Sequence, residues 1–129
     1  MKTAYFDLFA GASGDMILGA LLDAGLSLES LVSKLSKLHL SGYHISAQPQ
    51  ERGMVSGTQV TIDISQTRRL PLDEMLALIR DSSLSGQARE KGLAIFQRLG
   101  EAEARAHRIP IKEVHLHELG SLDTIIDIM

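Results

Sequence analysis

Residues Tyr43 to Ser65 read YHISAQPQERGMVSGTQVTIDIS, and this stretch decides the fold class. "YHISAQ" and "TQVTIDIS" alternate polar and apolar residues with the period of two that a half-buried strand requires, while "QERGMVSG" between them supplies turn residues. An antiparallel hairpin is predicted. The flanking segments change period. "DMILGALLDAG" follows the cap candidate Ser13 and is closed by Gly25. "SLESLVSKLSKLHLSG" carries leucines at 28, 31, 35 and 38, with Ser27 as cap and Gly42 as stop. Downstream, Pro71 suits the first turn of "LDEMLALIRDS". Ser83 or Ser85 then caps a long helix running to about His107, with an apolar stripe of Ala88, Ile95, Phe96, Leu99, Ala102 and Ala106. Glu101 and Arg105 are expected to form a solvated pair on its outside. "RIPI" breaks that helix, and Ser121 starts a last one with Asp123 in its first turn. "TAYFDLF", Thr3 to Phe9, reads as a further, buried strand. The expected architecture is α+β (mixed α/β): a small sheet of about three strands, including the hairpin, packed against several helices.

Composition narrows the chemistry. The 129 residues suit one domain spanning 1–129, and 44% hydrophobic content fills a core in which only 4% aromatic residues take part. The formal charge of −3 leaves no electrostatic footprint for nucleic acid or a membrane surface. There is no cysteine, which excludes disulfides, a thiolate nucleophile, iron–sulfur clusters and a cysteine zinc site. Asp7 interrupts the first apolar run, and no stretch reaches the roughly 18 apolar residues of a membrane span, so a cytoplasmic protein is expected. "TIIDIM" stops inside an apolar helical pattern, from which a fragment or an associating final helix is expected, with a homo-oligomer as one possibility.

Three places carry candidate chemistry. The first is "FDLFAGASGDM", a glycine turn opening a helix, where backbone N–H groups attract anions. No Lys-Ser/Thr follows the glycines, so this is not a P-loop. Asp7 and Asp15 flank the turn and would meet a phosphate through a divalent cation. Alternatively, Gly11, Ser13 and Gly14 serve only the turn and cap. The second is histidine-rich. Glu103 and His107 share a helix face. If 114–119 is extended, His115 and His117 share the face opposite Val114 and Leu116, with Glu118 following. Asp123 and Asp127, one helical turn apart, add oxygen donors. Imidazole with carboxylate suits Zn, Ni, Cu or Fe(II), and the affinity order alone does not choose among them; an acid–base role and plain capping are the other readings. The third is a set of arginines, Arg52 in the hairpin and Arg68 and Arg69 in the linker "QTRRLP", each a carboxylate or phosphate fork or a solvated charge.

Taken in order, "YFDLFAGASGDMILGALLDAG", "RGMVSGT", "AEARAH" and "VHLHELGSLDTIIDI" resemble the LarC-type nickel-insertion proteins, and the resemblance runs along essentially the whole chain. Members of that family are longer, so the chain looks like their amino-terminal portion. They often carry histidines in the linker, where this chain has Thr67 and Arg69 beside Arg68. The resemblance implies a CTP-dependent, lyase-type insertion of Ni2+ into a pyridinium bisthiocarboxylic acid mononucleotide, giving a nickel-pincer cofactor such as lactate racemase uses. CTP with Mg2+ or Mn2+ is expected mainly in the carboxy-terminal half. His107, His115, His117 and Glu118 would handle the ion or the ring proton, with Glu103 and Asp123 as further ligands. Asp7, Gly11, Ser13, Gly14, Asp15, Arg52 and Arg68 would lie near the nucleotide. A nickel-delivery module without chemistry of its own and a divalent-metal phosphoester hydrolase are the rival readings.

Overall fold

The computed structural model describes residues 3–9, 11–65 and 69–129, with the side chains of His117 and Glu118 outside that description. Arg68 and Thr67 also lie outside it. The hairpin forms as β1, Tyr43–Arg52, and β2, Val55–Ile64, paired antiparallel from Tyr43 opposite Ile64 to Arg52 opposite Val55. It is tighter than the sequence suggests. Most of the expected turn is strand, and only Gly53 and Met54 connect the two. Gly53 has φ 63° and Met54 is not left-handed, the pattern of a II′ turn whose twist matches its strands. Pro49 sits within β1, opposite Thr58. In a two-stranded sheet every strand is an edge, and a proline facing outward removes no ladder bond.

Directly opposite residues share a face, so Tyr43 and Ile64, Ile45 and Ile62, and Ala47 and Val60 form one apolar side. Ile45 and Val60 are buried on that side. Helix α1, Gly14–Asp23, packs against β2. It approaches closely because residue 19 is glycine: a Cβ there would fall well inside 3.0 Å of the Thr58 carbonyl oxygen. Asp23 then fastens the helix end to the strand, accepting from the Thr58 N–H at 3.1 Å and the Thr58 hydroxyl at 2.6 Å. α1 ends in a Schellman motif, with Gly25 at φ 102° and N–H bonds from Leu26 to the Leu21 carbonyl and from Gly25 to the Leu22 carbonyl, both at 3.0 Å.

Helix α2, Leu28–Leu35, starts where Ser27 accepts the Ser30 N–H and continues as a 3-10 turn over Ser36–Leu38. Leu31, Leu35 and Leu38 are buried, as their spacing predicts. Helix α3, Leu72–Asp81, begins directly after Pro71. Helix α4, Gly86–His107, is capped by Ser85, which accepts the Ala88 N–H at 3.3 Å. Its predicted stripe is corrected: the buried line is Gly92, Phe96 and Gly100, while Ile95, Ala102 and Ala106 are exposed. Gly92 lies against the Met129 thioether and Gly100 against the Leu72 side chain. Helix α5, Leu122–Ile128, buries Leu122, Ile125 and Ile126. One contiguous core joins these helices to the hairpin face.

The strand expected over Thr3–Phe9 is absent. The segment is unpaired, and Tyr5 and Phe9 are 88% and 93% exposed. Among the described residues the sheet has two strands, not three, and offers this segment no ladder. No helix among them is long and apolar enough to cross a membrane.

Candidate functional site

The glycine turn forms as a tight turn closed by the Gly11 N–H on the Leu8 carbonyl, 2.9 Å, with Gly11 at φ 83°. Ser13 stands at the N-cap of α1 but does not cap with its own side chain. Its hydroxyl donates to the Asp15 carboxylate, whose same oxygen accepts the Met16 N–H at 2.9 Å. Asp15 is thereby occupied with the helix start. Asp7 is exposed, so the cost expected of a carboxylate in a buried strand does not arise.

Helix α5 opens in the same way. The Ser121 hydroxyl donates to Asp123, which also accepts the Thr124 N–H at 2.9 Å. Asp123 is therefore hydrogen-bonded into the start of α5. The start of α1 also meets the last turn of α5. Gly14 faces Asp127 so closely that a Cβ would overlap the Asp127 side chain. Oδ1 of Asp127 is buried and accepts no hydrogen bond from the described residues. Burial raises the Asp127 carboxyl above the usual range, and the nearby Asp15 and Asp123 charges raise it further. Residues from the first and last candidate stretches thus meet at one junction.

At the end of α4 the expected pair is present: His107 Nε2 lies 3.2 Å from Glu103 Oε2, one turn away. The His107 side chain is half exposed. α4 stops there because Arg108 turns left-handed, φ 54° and ψ 44°, and the Ile109 N–H closes on the Ala104 carbonyl.

The extended stretch is shorter than predicted. Val114 and Leu116 are buried and His115 between them is exposed, as alternation requires. Leu116 then leaves the extended region, φ −72° and ψ 23°, and His117–Gly120 form a 3-10 turn. Strand geometry therefore does not place His115 and His117 on a common face. Among the described residues no three His, Asp or Glu side chains are grouped to hold one ion.

His115 instead borders two neighbouring clefts. One, of about 400 Å³, has Leu72, Leu76, Ile111 and Val114 as its apolar wall and Asp73, Gln97, Lys112 and His115 as its polar rim. The other, about 170 Å³, is lined by Arg69, Leu70, Leu116 and Gly120, and shares Pro71 and His115 with the first. The Leu70 N–H donates to the Gly120 carbonyl at 2.8 Å and ties the linker end to the loop before α5. Sequence singles out Arg69 only as one of three candidate arginines and Lys112 not at all; the fold brings both beside His115. Arg52 lies elsewhere, in a shallow depression of about 210 Å³ formed by the hairpin itself.

The model of the nickel insertion protein family matches residues 4–129. A curated relative from Syntrophobacter fumaroxidans is 50% identical over 129 residues, covering 100% of this chain and 33% of its own length. Two relatives are named pyridinium-3,5-bisthiocarboxylic acid mononucleotide nickel insertion protein. The one from Desulfitobacterium hafniense is 42% identical over 130 residues, 100% of this chain and 32% of its own. The one from Lactiplantibacillus plantarum is 37% identical over 150 residues, 100% of this chain and 36% of its own. This chain therefore spans about a third of the length of the curated relatives it matches. No solved structure matches it.

Proposed function

The chain belongs to the nickel insertion protein family, and from that premise we propose that it works in placing Ni2+ into a pyridinium bisthiocarboxylic acid mononucleotide, as the amino-terminal domain, residues 1–129, of a longer protein. The observation that carries this is the family match along 4–129, together with relatives named for that nucleotide. Nickel is the cargo. A donor that passes an ion on must hold it less tightly than the acceptor does. Imidazole and carboxylate meet that condition against a substrate bringing two sulfurs, and the lack of cysteine fits it. Glu103 and His107 offer one oxygen and one nitrogen from a single helix face, and His115 offers an exposed imidazole. His117 and Glu118 complete the donor set by sequence. A nickel–carbon bond to the ring replaces a carbon–hydrogen bond, so one proton must leave. An imidazole is the fitting acceptor near neutral pH. The lyase-type chemistry is CTP-dependent in this reading, with CTP and Mg2+ or Mn2+ held by the carboxy-terminal part and the product serving as a nickel-pincer cofactor.

The exposed Tyr5, Phe6 and Phe9 support association with further polypeptide, since contiguous exposed apolar groups mark contact surfaces. The exposed imidazole of His115 and the Glu103–His107 pair also fit a second reading, a nickel-delivery module that performs no insertion alone. One experiment tests both. Ni2+ is titrated calorimetrically into this chain and into a His107→Ala, His115→Ala, His117→Ala variant, and transfer to the substrate nucleotide is then followed with CTP, with and without the carboxy-terminal part of a relative. Nickel binding lost in the variant, and transfer in the assembled system, are expected. Nickel binding that survives the triple change refutes the histidine assignment. Binding without any transfer leaves the delivery module.

A further inference from the structure

The two clefts beside His115 have different characters, and the difference specifies a ligand. The wall of the larger one is apolar: Leu72 and Val114, 5% and 4% exposed, line it together with Leu76 and Ile111. Its rim carries one carboxylate, Asp73, and one ammonium, Lys112. A purely anionic ligand is poorly served there, because Asp73 repels it. A planar cation that also bears acid groups is well served by both. Among the described residues, the smaller cleft is lined without a carboxylate and presents Arg69, whose planar fork suits a phosphate. His115 and Pro71 line both clefts, so a single ligand reaches from one into the other. About 400 Å³ lies within the range of small-molecule sites, roughly 300–1,000 Å³.

We propose that these adjoining clefts bind a pyridinium mononucleotide, the cationic ring lying on Leu72 and Val114 beside Asp73, its acid substituent facing Lys112, and its phosphate held by Arg69. This rests on the nickel-insertion reading for the choice of nucleotide, and deepens it by assigning the acceptor to a place and to residues. It puts His115 at the join, within reach of a ligand that spans both clefts. The linker gains a role through Arg69, a position where sequence gave no reason to prefer it over Arg68.

The test uses nicotinate mononucleotide, a pyridinium carboxylate with ribose phosphate, and uridine monophosphate, which keeps the ribose phosphate but has a neutral ring. Both are titrated into this chain and into Arg69→Ala, Asp73→Asn, Lys112→Ala and Leu76→Trp variants, with folding checked by circular dichroism. Arg69→Ala is expected to weaken both nucleotides about tenfold, the size of one charge-assisted contact. Asp73→Asn is expected to weaken the pyridinium nucleotide and to spare or improve the uridine one. Lys112→Ala should weaken the carboxylate-bearing ligand more. Leu76→Trp should block both by filling the cleft. No binding of nicotinate mononucleotide by the folded chain overturns the proposal. So does an affinity unchanged by both Arg69→Ala and Asp73→Asn, surface changes that do not threaten folding. Nickel titrations of the same chain separate the two failures. Nucleotide binding with this charge pattern but no nickel binding sinks the insertion reading and supports the clefts. Nickel binding and transfer with an insensitive nucleotide affinity sinks the clefts alone.

Discussion

Gly19→Ala tests how α1 is seated on the hairpin, because two well-known effects give it opposite signs. In an exposed helix the change would stabilise by about 1 kcal/mol through propensity. Here the new methyl group would fall well inside 3.0 Å of the Thr58 carbonyl oxygen, a backbone atom in a paired strand that has no rotamer to adopt. Relief requires α1 and β2 to separate by on the order of 1 Å, which forfeits much of the dispersion contact along that line. Overpacking of this kind costs about 1–3 kcal/mol. The same separation stretches the bonds from Thr58 to Asp23, now 3.1 and 2.6 Å, each contributing about 1 kcal/mol. The cost exceeds the propensity gain, leaving a net loss of about 2–3 kcal/mol, or a Tm lower by roughly 10 °C for a chain of this size. Gly86→Ala is the control. It makes the identical chemical change in a helix, but nothing lies within 4 Å and the position does not require a positive φ. It should raise stability by about 0.5 kcal/mol. Thermal and urea unfolding of both variants decide the matter. A Gly19→Ala protein as stable as the parent, or more so, would refute the close seating of α1 on β2.

Further outcomes follow from other contacts. Asp23→Ala removes the acceptor of both Thr58 bonds and should cost about 1–2 kcal/mol in urea unfolding; an unchanged midpoint would contradict the clamp. Arg108→Gly relieves a left-handed non-glycine residue at the end of α4 and should stabilise by about 1 kcal/mol; a loss of stability would show that the Arg108 side chain does something its backbone does not reveal. Asp127 is raised in the folded state, so its protonated form is favoured there, and its stabilising contribution is present below the ordinary carboxylate range and lost as pH rises through the raised value. Asp127→Asn should therefore raise Tm at neutral pH and flatten the Tm–pH profile above the ordinary carboxylate range. An unchanged profile would mean that Asp127 titrates without perturbation.

The elements most legible in the sequence were those whose signal is local. Ser27 and Ser85 accept the predicted cap bonds, and the leucines at 31, 35 and 38 are buried where a period of 3.6 puts them. What was misread depends on partners distant in the chain. Of the stripe expected on α4, Ala88, Ile95, Phe96, Leu99, Ala102 and Ala106, Phe96 is buried and Leu99 packs on the core, while Ile95, Ala102 and Ala106 are exposed; the helix is seated also through Gly92 and Gly100, which carry no hydrophobic signal and matter because Met129 and Leu72 occupy the missing Cβ positions. "TAYFDLF" has the composition of a buried strand, but composition supplies no second strand to pair with.

The candidate site divides in the same way. Glu103 and His107 meet because four residues on a helix fix their separation, and sequence spacing is sufficient to find such a pair. His115 and His117 were joined by a strand geometry that lasts only from Val114 to Leu116, since burying both of those side chains satisfies the core and Gly120 and Ser121 then turn the chain into α5. The alternation was correct for as long as it had something to bury. Its consequence is that His115 faces outward, onto the junction of the linker with the loop after α4, where the Leu70–Gly120 hydrogen bond holds the two together. Lys112 and Arg69 acquire meaning only there. A metal-transfer site needs donors that release the ion and a place that holds the acceptor. The first requirement can be read from residue types. The second is a property of the enclosing surfaces, and in the proposed reading it emerges only when Leu72, Val114 and Asp73 are seen around one cleft with Arg69 in the adjoining one.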